Sequence, residues 1–311
     1  MTRVIAIGEC MVELSAAGPG LLRRRFAGDA YNTAVYLKRA RPQIRVSFLT
    51  VTGDDPLSHE MREAWDAEGI ADDLAFVDPT RRPALYLIET DPAGERRFHY
   101  WRSESAARGW MTALQAAGGA AALAGADLIY VSGISLAILR EEQRADALAL
   151  LAGRPARVRL AFDPNLRPVL WPSLEAARVT LEAMASTADI LLPSRQDLQA
   201  LLGEAHARDQ MQALIGLGAH EAAITAEADD CLVWDGREVH ALTPPKAKVV
   251  DTSGGGDSFN GAYLAARLSG AGPVAAAVEG LALAAQVVGR PGALIDAPPR
   301  GEITGGRPAQ G

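Results

Sequence analysis

Asp251-Thr252-Ser253-Gly254-Gly255-Gly256-Asp257-Ser258-Phe259-Asn260-Gly261-Ala262-Tyr263-Leu264 is the stretch on which the fold turns. Three glycines follow an apolar strand candidate, Val249-Val250, and run directly into Phe259, Ala262, Tyr263 and Ala266 at helical spacing. A glycine-rich turn at a helix N-terminus leaves backbone N–H groups unpaired, and the helix dipole adds positive potential there. That geometry suits a phosphate or a developing phosphoryl charge. Asp257 falls at the same helix start. A carboxylate beside an anion cradle is a poor choice for anion binding alone, because like charges repel. It makes sense as the acceptor of a proton from a hydroxyl that attacks phosphorus. Taken alone, Gly-Gly-Gly-Asp equally suits a plain turn with an aspartate cap.

Working outward, the chain of 311 residues has room for one large domain or two ordinary ones. Its 49% hydrophobic and 22% charged residues are those of a water-soluble globular protein. No apolar run is long enough to span a bilayer, and the opening Val4-Ile5-Ala6-Ile7 reads as a strand, not a signal peptide. Cys10 and Cys231 form neither a disulfide framework nor a metal pattern, which fits a reducing cytoplasm. A net charge of −7 argues against bulk nucleic-acid or acidic-membrane binding. No glycine-rich turn is followed by Lys-Ser or Lys-Thr, so a Walker P-loop is excluded.

Strand candidates at 4–8, 46–51, 128–132, 158–162, 190–192 and 222–225 alternate with helical patterns at 30–41, 57–68, 141–152, 174–187 and 195–202. This alternation predicts an α/β fold with a mostly parallel sheet flanked by helices, and ligands at the carboxyl ends of its strands. Two pieces break the rhythm: the arginine-rich run 21–26, and the runs 84–89 and 96–101 joined by a turn at Asp91-Pro92-Ala93-Gly94. They form either a small separate sheet over the pocket or an extension of the main one. Residues 113–125 read as a poorly defined helix, and the Pro- and Gly-rich tail from 298 to 311 as frayed. One domain over 1–311 is expected.

Other segments gather at the expected pocket. Ala27-Gly28-Asp29-Ala30-Tyr31-Asn32 opens the first helix, as a cap or as a turn whose bare backbone and amide bind hydroxyls. Asp163-Pro164-Asn165-Leu166-Arg167 leaves a strand at its carboxyl end. Arg167 is either a solvated charge or a fork for phosphate or carboxylate oxygens. Strand alternation puts Phe98, Tyr100 and Arg102 on one face and His99 on the other. A face with a phenol and a guanidinium suits an acid bearing hydroxyls, or it is an amphipathic surface strand.

The string Asp251-Thr-x-Gly-Gly-Gly-Asp257-x-x-x-Gly-Ala-Tyr-Leu resembles the C-terminal signature of the ribokinase-like (PfkB) sugar kinases, and Gly28-x-x-x-Asn32 resembles their N-terminal one, with Ala27 replacing a glycine. Gly8-Glu-Cys-Met-Val-Glu13, Tyr86-Leu-Ile-Glu-Thr-Asp with Gly94-Glu-Arg96, Tyr100-Trp-Arg102 and Ser132-Gly-Ile-Ser-Leu-Ala-Ile-Leu139 are similar to bacterial 2-keto-3-deoxygluconate kinases across nearly the whole chain. The resemblance implies a ribokinase-like domain with a β lid, from about 20–27 and 83–102, through which the chain forms a homo-oligomer. It implies ATP and Mg²⁺ as cofactors and a sugar acid as acceptor. Substrate contacts would come from Gly28, Asp29, Asn32, Tyr86, Tyr100, Arg102, Arg167 and Asp257. Catalysis would fall to Asp257 with the amides of Gly254, Gly255 and Gly256. The nucleotide would meet Asn165, Ser194, Thr225, Glu227, Ala228, Asp230, Gly254, Gly256, Leu281 and Ala284. Asp197 would reach Mg²⁺ through water, and Asp251 a monovalent cation.

Two departures stand out. The family's Lys-x-Gly-x-x-Gly nucleotide loop is here Thr225-Ala-Glu227-Ala-Asp229-Asp230, and its Asn-x-x-Glu is Ser194-Arg-Gln-Asp197. They leave nucleotide preference and catalytic rate open, and with them a non-catalytic nucleotide or sugar sensor; separately, the acceptor could be a neutral ketose such as fructose or another sugar acid. A dinucleotide oxidoreductase fits the alternation but not Gly8-Glu-Cys-Met, which lacks the Gly-x-Gly-x-x-Gly turn.

Overall fold

The computed structural model describes residues 1–90, 96–203, 206–226 and 229–296. The turn at 91–94, Glu227, Ala228 and the tail 298–311 lie outside the described residues. The main sheet holds ten strands: β1 (Arg3–Ile7), β4 (Arg45–Gly53), β5 (Ile70–Ala71), β6 (Ala75–Asp78), β9 (Leu128–Ser132), β10 (Arg159–Asp163), β11 (Ile190–Leu191), β12 (Ala222–Ile224), β13 (Cys231–Trp234) and β14 (Val239–Leu242). Their order is β14-β13-β12-β11-β10-β9-β1-β4-β5, with β6 also paired to β4. All pairs are parallel except β12–β13 and β13–β14, which close one edge as antiparallel hairpins.

The central strands are apolar throughout because both faces are covered. Ile5 and Ile7 of β1, Leu49 and Val51 of β4, and Ile129 and Val131 of β9 enter one core. Their alternate neighbours Val4 and Ala6, Val46 and Phe48, and Leu128 and Tyr130 enter the other. In the second core Tyr31, Phe48 and Trp65 pack ring to ring at 5.3–6.1 Å between centroids. Each such buried ring contributes roughly 1.5–3 kcal/mol over exposure.

The helix Gly255–Leu268 buries Phe259, Ala262, Tyr263 and Ala266, the spacing read from the sequence. Beside it lies the helix Pro273–Val287, and on its other side Asp29–Ala40, where Gly261 faces the Tyr36 Cβ and Thr33 carbonyl so closely that a side chain would not fit. The expected helices at 141–152 and 195–202 form with those bounds, and the others shift by a residue or two. The region 113–125 splits into Trp110–Ala116 and Ala120–Leu123, because Gly118 and Gly119 take positive φ between them.

Val249-Val250 is not a strand. The sheet already ends at β14, and both side chains are exposed. The backbone N–H groups of Val250 and Asp251 instead donate to the Val288 carbonyl, at 2.8 and 3.1 Å, closing the end of the helix Pro273–Val287.

The irregular pieces form a separate four-stranded sheet, β3-β2-β7-β8, from β2 (Met11–Gly18), β3 (Leu21–Ala27), β7 (Leu85–Thr90) and β8 (Arg96–Trp101). Its central strand β2 extends the lid beyond the two segments expected from sequence. Among the described residues no helix is long and apolar enough to cross a membrane.

Candidate active site

The carboxyl ends of β1, β9, β10, β11 and β12 open toward the N-terminus of the helix Gly255–Leu268. At that terminus Gly254 is the N-cap residue, with φ 73°, and an added Cβ would lie 2.2 Å from the Ala293 carbonyl oxygen. Only glycine meets both conditions. The Gly255 N–H, expected in the anion cradle, donates instead to the Thr252 carbonyl at 3.2 Å. The N–H groups of Gly254, Gly256 and Asp257 donate to no protein acceptor among the described residues. Nothing lies within 4 Å of a Cβ built on Gly256, so the cradle is open on that side.

Asp257 sits half-buried in the first helical turn, and its Oδ2 accepts from Asn32 Nδ2 at 2.8 Å. Burial, then repulsion from Asp29, push its carboxyl up to about 7, against the pull of Asn32 and Arg167. A carboxylate poised near neutrality is well matched to accepting a proton at physiological pH.

Gly28 closes the other wall. A Cβ there would come within 2.2 Å of the Glu9 carbonyl oxygen, so the first helix can approach the end of β1 only because this residue is bare. Asp29 accepts from Ser132 Oγ, at the end of β9, and from Asn165 Nδ2 at 2.8 Å. Asn165 is the one non-glycine residue with positive φ among those described, at 33°. Its N–H donates to Asp163 Oδ1 at 2.9 Å, which bends the chain at the end of β10. Asp163 Oδ2 accepts from Asn260 Nδ2 at 2.8 Å. Burial, and then the charges of Asp197, Asp29 and Asp257, push the Asp163 carboxyl well above the usual range. Asp163 and Asn260 stood inside the quoted motifs, but periodicity gave them no role; only the folded register joins them. Arg167 is exposed, donates to the Leu166 carbonyl at 2.9 Å, and acts on Asp257 as a favourable charge.

Asp197 is buried, and its carboxylate is already engaged. Oδ1 accepts from the Leu166 N–H at 2.8 Å, and Oδ2 from Ser194 Oγ at 2.8 Å and the Ser194 N–H at 3.2 Å. With Ser194 Oγ accepting from the Asp197 N–H, this is a reciprocal capping box. Thr225 pairs with Ser194 and accepts from the Arg195 N–H at 2.8 Å. Asp230 accepts from Thr243 Oγ1 at 2.8 Å. Leu281 is buried in the second core and Ala284 packs at its edge.

The Asp251 carboxylate accepts from the Ser253 N–H at 3.0 Å and the Gly292 N–H, and is ion-paired with Arg96 at the start of β8. Burial raises its pKa, but Arg96 and these amides outweigh burial and hold it below the usual range. Arg96 Nη1 also donates to Ser253 Oγ at 3.3 Å. The lid is thereby tied to the anion loop, by an arginine that sequence reading passed over.

On the lid, Tyr86 and Tyr100 are direct cross-strand partners with ring centroids 5.7 Å apart, and Phe98 stacks 6.3 Å from Tyr100. Arg102 lies over the Tyr100 ring at 5.7 Å. His99 pairs with Glu89 at 2.7 Å, away from this aromatic face. Two buried carboxylates hold the lid residues: Tyr86 OH donates to Glu13, and Arg102 Nη2 donates to Glu9 Oε2 at 2.5 Å. A cleft of about 500 Å³ lined by Val51, Arg81, Arg108 and Arg140, among others, contains none of these residues.

The chain matches the pattern "pfkB family carbohydrate kinase" over residues 1–300. It is 42% identical to a 2-dehydro-3-deoxygluconokinase of Dickeya dadantii over 299 residues, covering 94% of this chain and 96% of that protein. It is 39% identical to the protein of the same name from Escherichia coli K12 over 302 residues, covering 94% and 97%. Among solved structures, a PfkB protein from Polaromonas sp. JS666 superimposes with a TM-score of 0.80 at 26% identity, covering 92% of this chain and 95% of that one. The fold is ribokinase-like, and since sequence and architecture agree from end to end, the chain belongs to the pfkB family of carbohydrate kinases.

Proposed function

We propose that this kinase transfers the γ-phosphate of ATP to the terminal hydroxyl of 2-keto-3-deoxygluconate, giving the 6-phosphate and ADP. The observation that carries the reaction is Asp257, with a near-neutral carboxyl beside the unpaired amides of Gly254, Gly256 and its own N–H. Asp257 takes the hydroxyl proton as that oxygen attacks the γ-phosphorus. The new P–O bond forms while the bond to the β-phosphate oxygen breaks, and ADP leaves. The amides at the helix N-terminus stabilise the charge on the transferring group, so alignment and preorganised dipoles supply most of the acceleration. Asn32 orients the base. Gly28, Asp29 and Arg167 complete the acceptor wall, while Asn165, Ser194, Thr225 and Asp230 border the nucleotide, with Leu281 and Ala284 behind it.

Asp163 is repelled by Asp197, Asp29 and Asp257, and four acids so grouped suit a divalent cation brought with ATP. The Asp197 and Asp163 oxygens are already hydrogen-bonded, so these residues would hold Mg²⁺ through water, and the ion would neutralise phosphate charge. Asp251 would take a monovalent cation only with Arg96 displaced. The exposed Leu21, Leu22 and Trp101 of the lid support homo-oligomerisation through that sheet. Two buried, unpaired cysteines suit a reducing cytoplasm.

The sugar-acid assignment rests on Arg102 and on the relatives' shared name. A second reading is a neutral ketose such as fructose, favoured by the pairing of Arg102 with Glu9, which cancels its charge. A coupled ADP-release assay over 2-keto-3-deoxy acids, fructose and ribose decides. The acid should show the highest kcat/KM, and Arg102→Ala should raise KM for the acid far more than for fructose. A preference for fructose that survives this substitution would replace the first reading with the second. Ligand binding without ADP release from any sugar would point to a sensor.

A further inference from the structure

The segment between β1 and β2 carries a carboxylate that the reaction does not use. Glu9 lies two residues past the end of β1 and is 1% exposed, an unusual place for a charge. Its Oε2 accepts from Arg102 Nη2 at 2.5 Å, and its Oε1 accepts from Ser105 Oγ. Both partners lie on the chain that leaves lid strand β8. One buried carboxylate therefore pins the last turn of the lid to the end of the first sheet strand.

Arg102 is also nearly enclosed, its side chain 10% exposed. Its Nε is buried and donates to no acceptor among the described residues. The structure thus fixes a guanidinium by one nitrogen and leaves another N–H of the same planar fork without a partner. That Nε is out of reach of any ligand, which leaves an acceptor from outside the chain to pair with Nη1, a nitrogen with no partner among the described residues. A carboxylate on the acceptor is such a partner, because an arginine fork presents its N–H groups in the geometry a carboxylate matches.

We propose that Glu9 is a positioning residue for acceptor recognition: it holds the Arg102 guanidinium in one orientation, so that its remaining N–H groups meet the carboxylate of a sugar acid. The inference rests on the reading of the acceptor as an acid. Glu9 touches neither reacting atoms nor nucleotide in this scheme, so it acts on acceptor affinity and leaves the chemical step alone. Without it, a long side chain with several rotamers must be ordered by the substrate itself.

The test is steady-state kinetics on the full chain with 2-keto-3-deoxygluconate, fructose and ATP varied in turn. Glu9→Ala should raise KM for the acid by about 10–100-fold, since a misplaced binding group costs up to about that much. It should leave kcat within about threefold and KM for ATP unchanged. Glu9→Gln keeps an acceptor for Arg102 and should recover most of the acid KM. Placed on Arg102→Ala, Glu9→Ala should add nothing further, because both changes remove one interaction. The proposal is overturned if Glu9→Ala leaves the acid KM near wild type, raises the KM for acid and ATP alike, or adds its full penalty on Arg102→Ala.

Should Glu9→Ala fail to fold by circular dichroism, Glu9→Asp carries the test. It keeps the charge but withdraws the carboxylate, and should raise the acid KM alone; an unchanged acid KM overturns the proposal. Failure of the acid reading is separate: Arg102→Ala itself would then leave the ratio of acid to fructose kcat/KM unchanged.

Discussion

Asp257 carries opposing demands at one carboxyl. Burial and Asp29 raise its pKa from the ordinary carboxylate value of 3.8 to about 7, so proton uptake favours the folded state. That contribution to stability is complete below the unfolded value and is lost as pH rises through about 7. Asp257→Asn removes the burden along with the base. Its kcat should fall by about 10²–10⁴-fold, while calorimetry finds ATP affinity little changed. The same variant should melt above wild type at about pH 8, with the difference vanishing near about pH 4. Near-normal turnover would remove Asp257 from the mechanism. Asp29→Asn deletes the largest charge acting on Asp257, so the acid limb of kcat/KM should move to lower pH. The midpoint is the informative quantity, since Asp29 also lines the acceptor wall. An unmoved midpoint would mean that the limb reports another group.

Among elements, the anion loop and the lid are coupled through Arg96. Its guanidinium lies against Asp251 and Ser253, immediately before the helix that carries the base. A positive charge on that loop is thus supplied by the chain itself. Turnover of wild type is expected to change less than about twofold between KCl and tetramethylammonium chloride, because the carboxylate is already satisfied. Arg96→Ala should lower turnover in the organic salt and regain part of it in KCl. Strict potassium dependence of the wild type would show that Arg96 leaves Asp251 during catalysis. The capping box at Ser194–Asp197 belongs to the same scale. The spacing was legible as a signature, but that the Asp197 carboxylate also receives the Leu166 N–H depends on where β10 and β11 end.

For the molecule as a whole, the sheet brings residues distant in sequence to one edge, and the lid is tied to that edge through Arg96–Asp251 and Arg102–Glu9. Leu21, Leu22 and Trp101 stand exposed on the lid, 57–65% accessible. Leu21 and Leu22 open one edge strand of the lid and Trp101 ends the other, so each edge offers apolar surface and open backbone groups to a second copy. Sedimentation velocity should find a dimer or larger species, and Trp101→Glu should shift it toward monomer; a wild-type monomer at micromolar concentration would refute assembly through the lid. Sequence alone determined the parallel α/β architecture, because strands covered on both faces must be apolar throughout and helices covered on one must repeat every three to four residues. It also placed the glycine turn and Asp257 at a helix start, because that arrangement is local: three bare residues and an acid in one helical turn. It misassigned Val249-Val250, whose composition suits a strand but which has no free sheet edge to join. It gave no function to Glu9, Asp163 or Arg96, and could not tell that Thr252 takes the Gly255 amide. Those facts were decided by tertiary structure, because a polar group drawn into the fold is defined by the partner that satisfies it, and each of these three finds its own partner far along the chain.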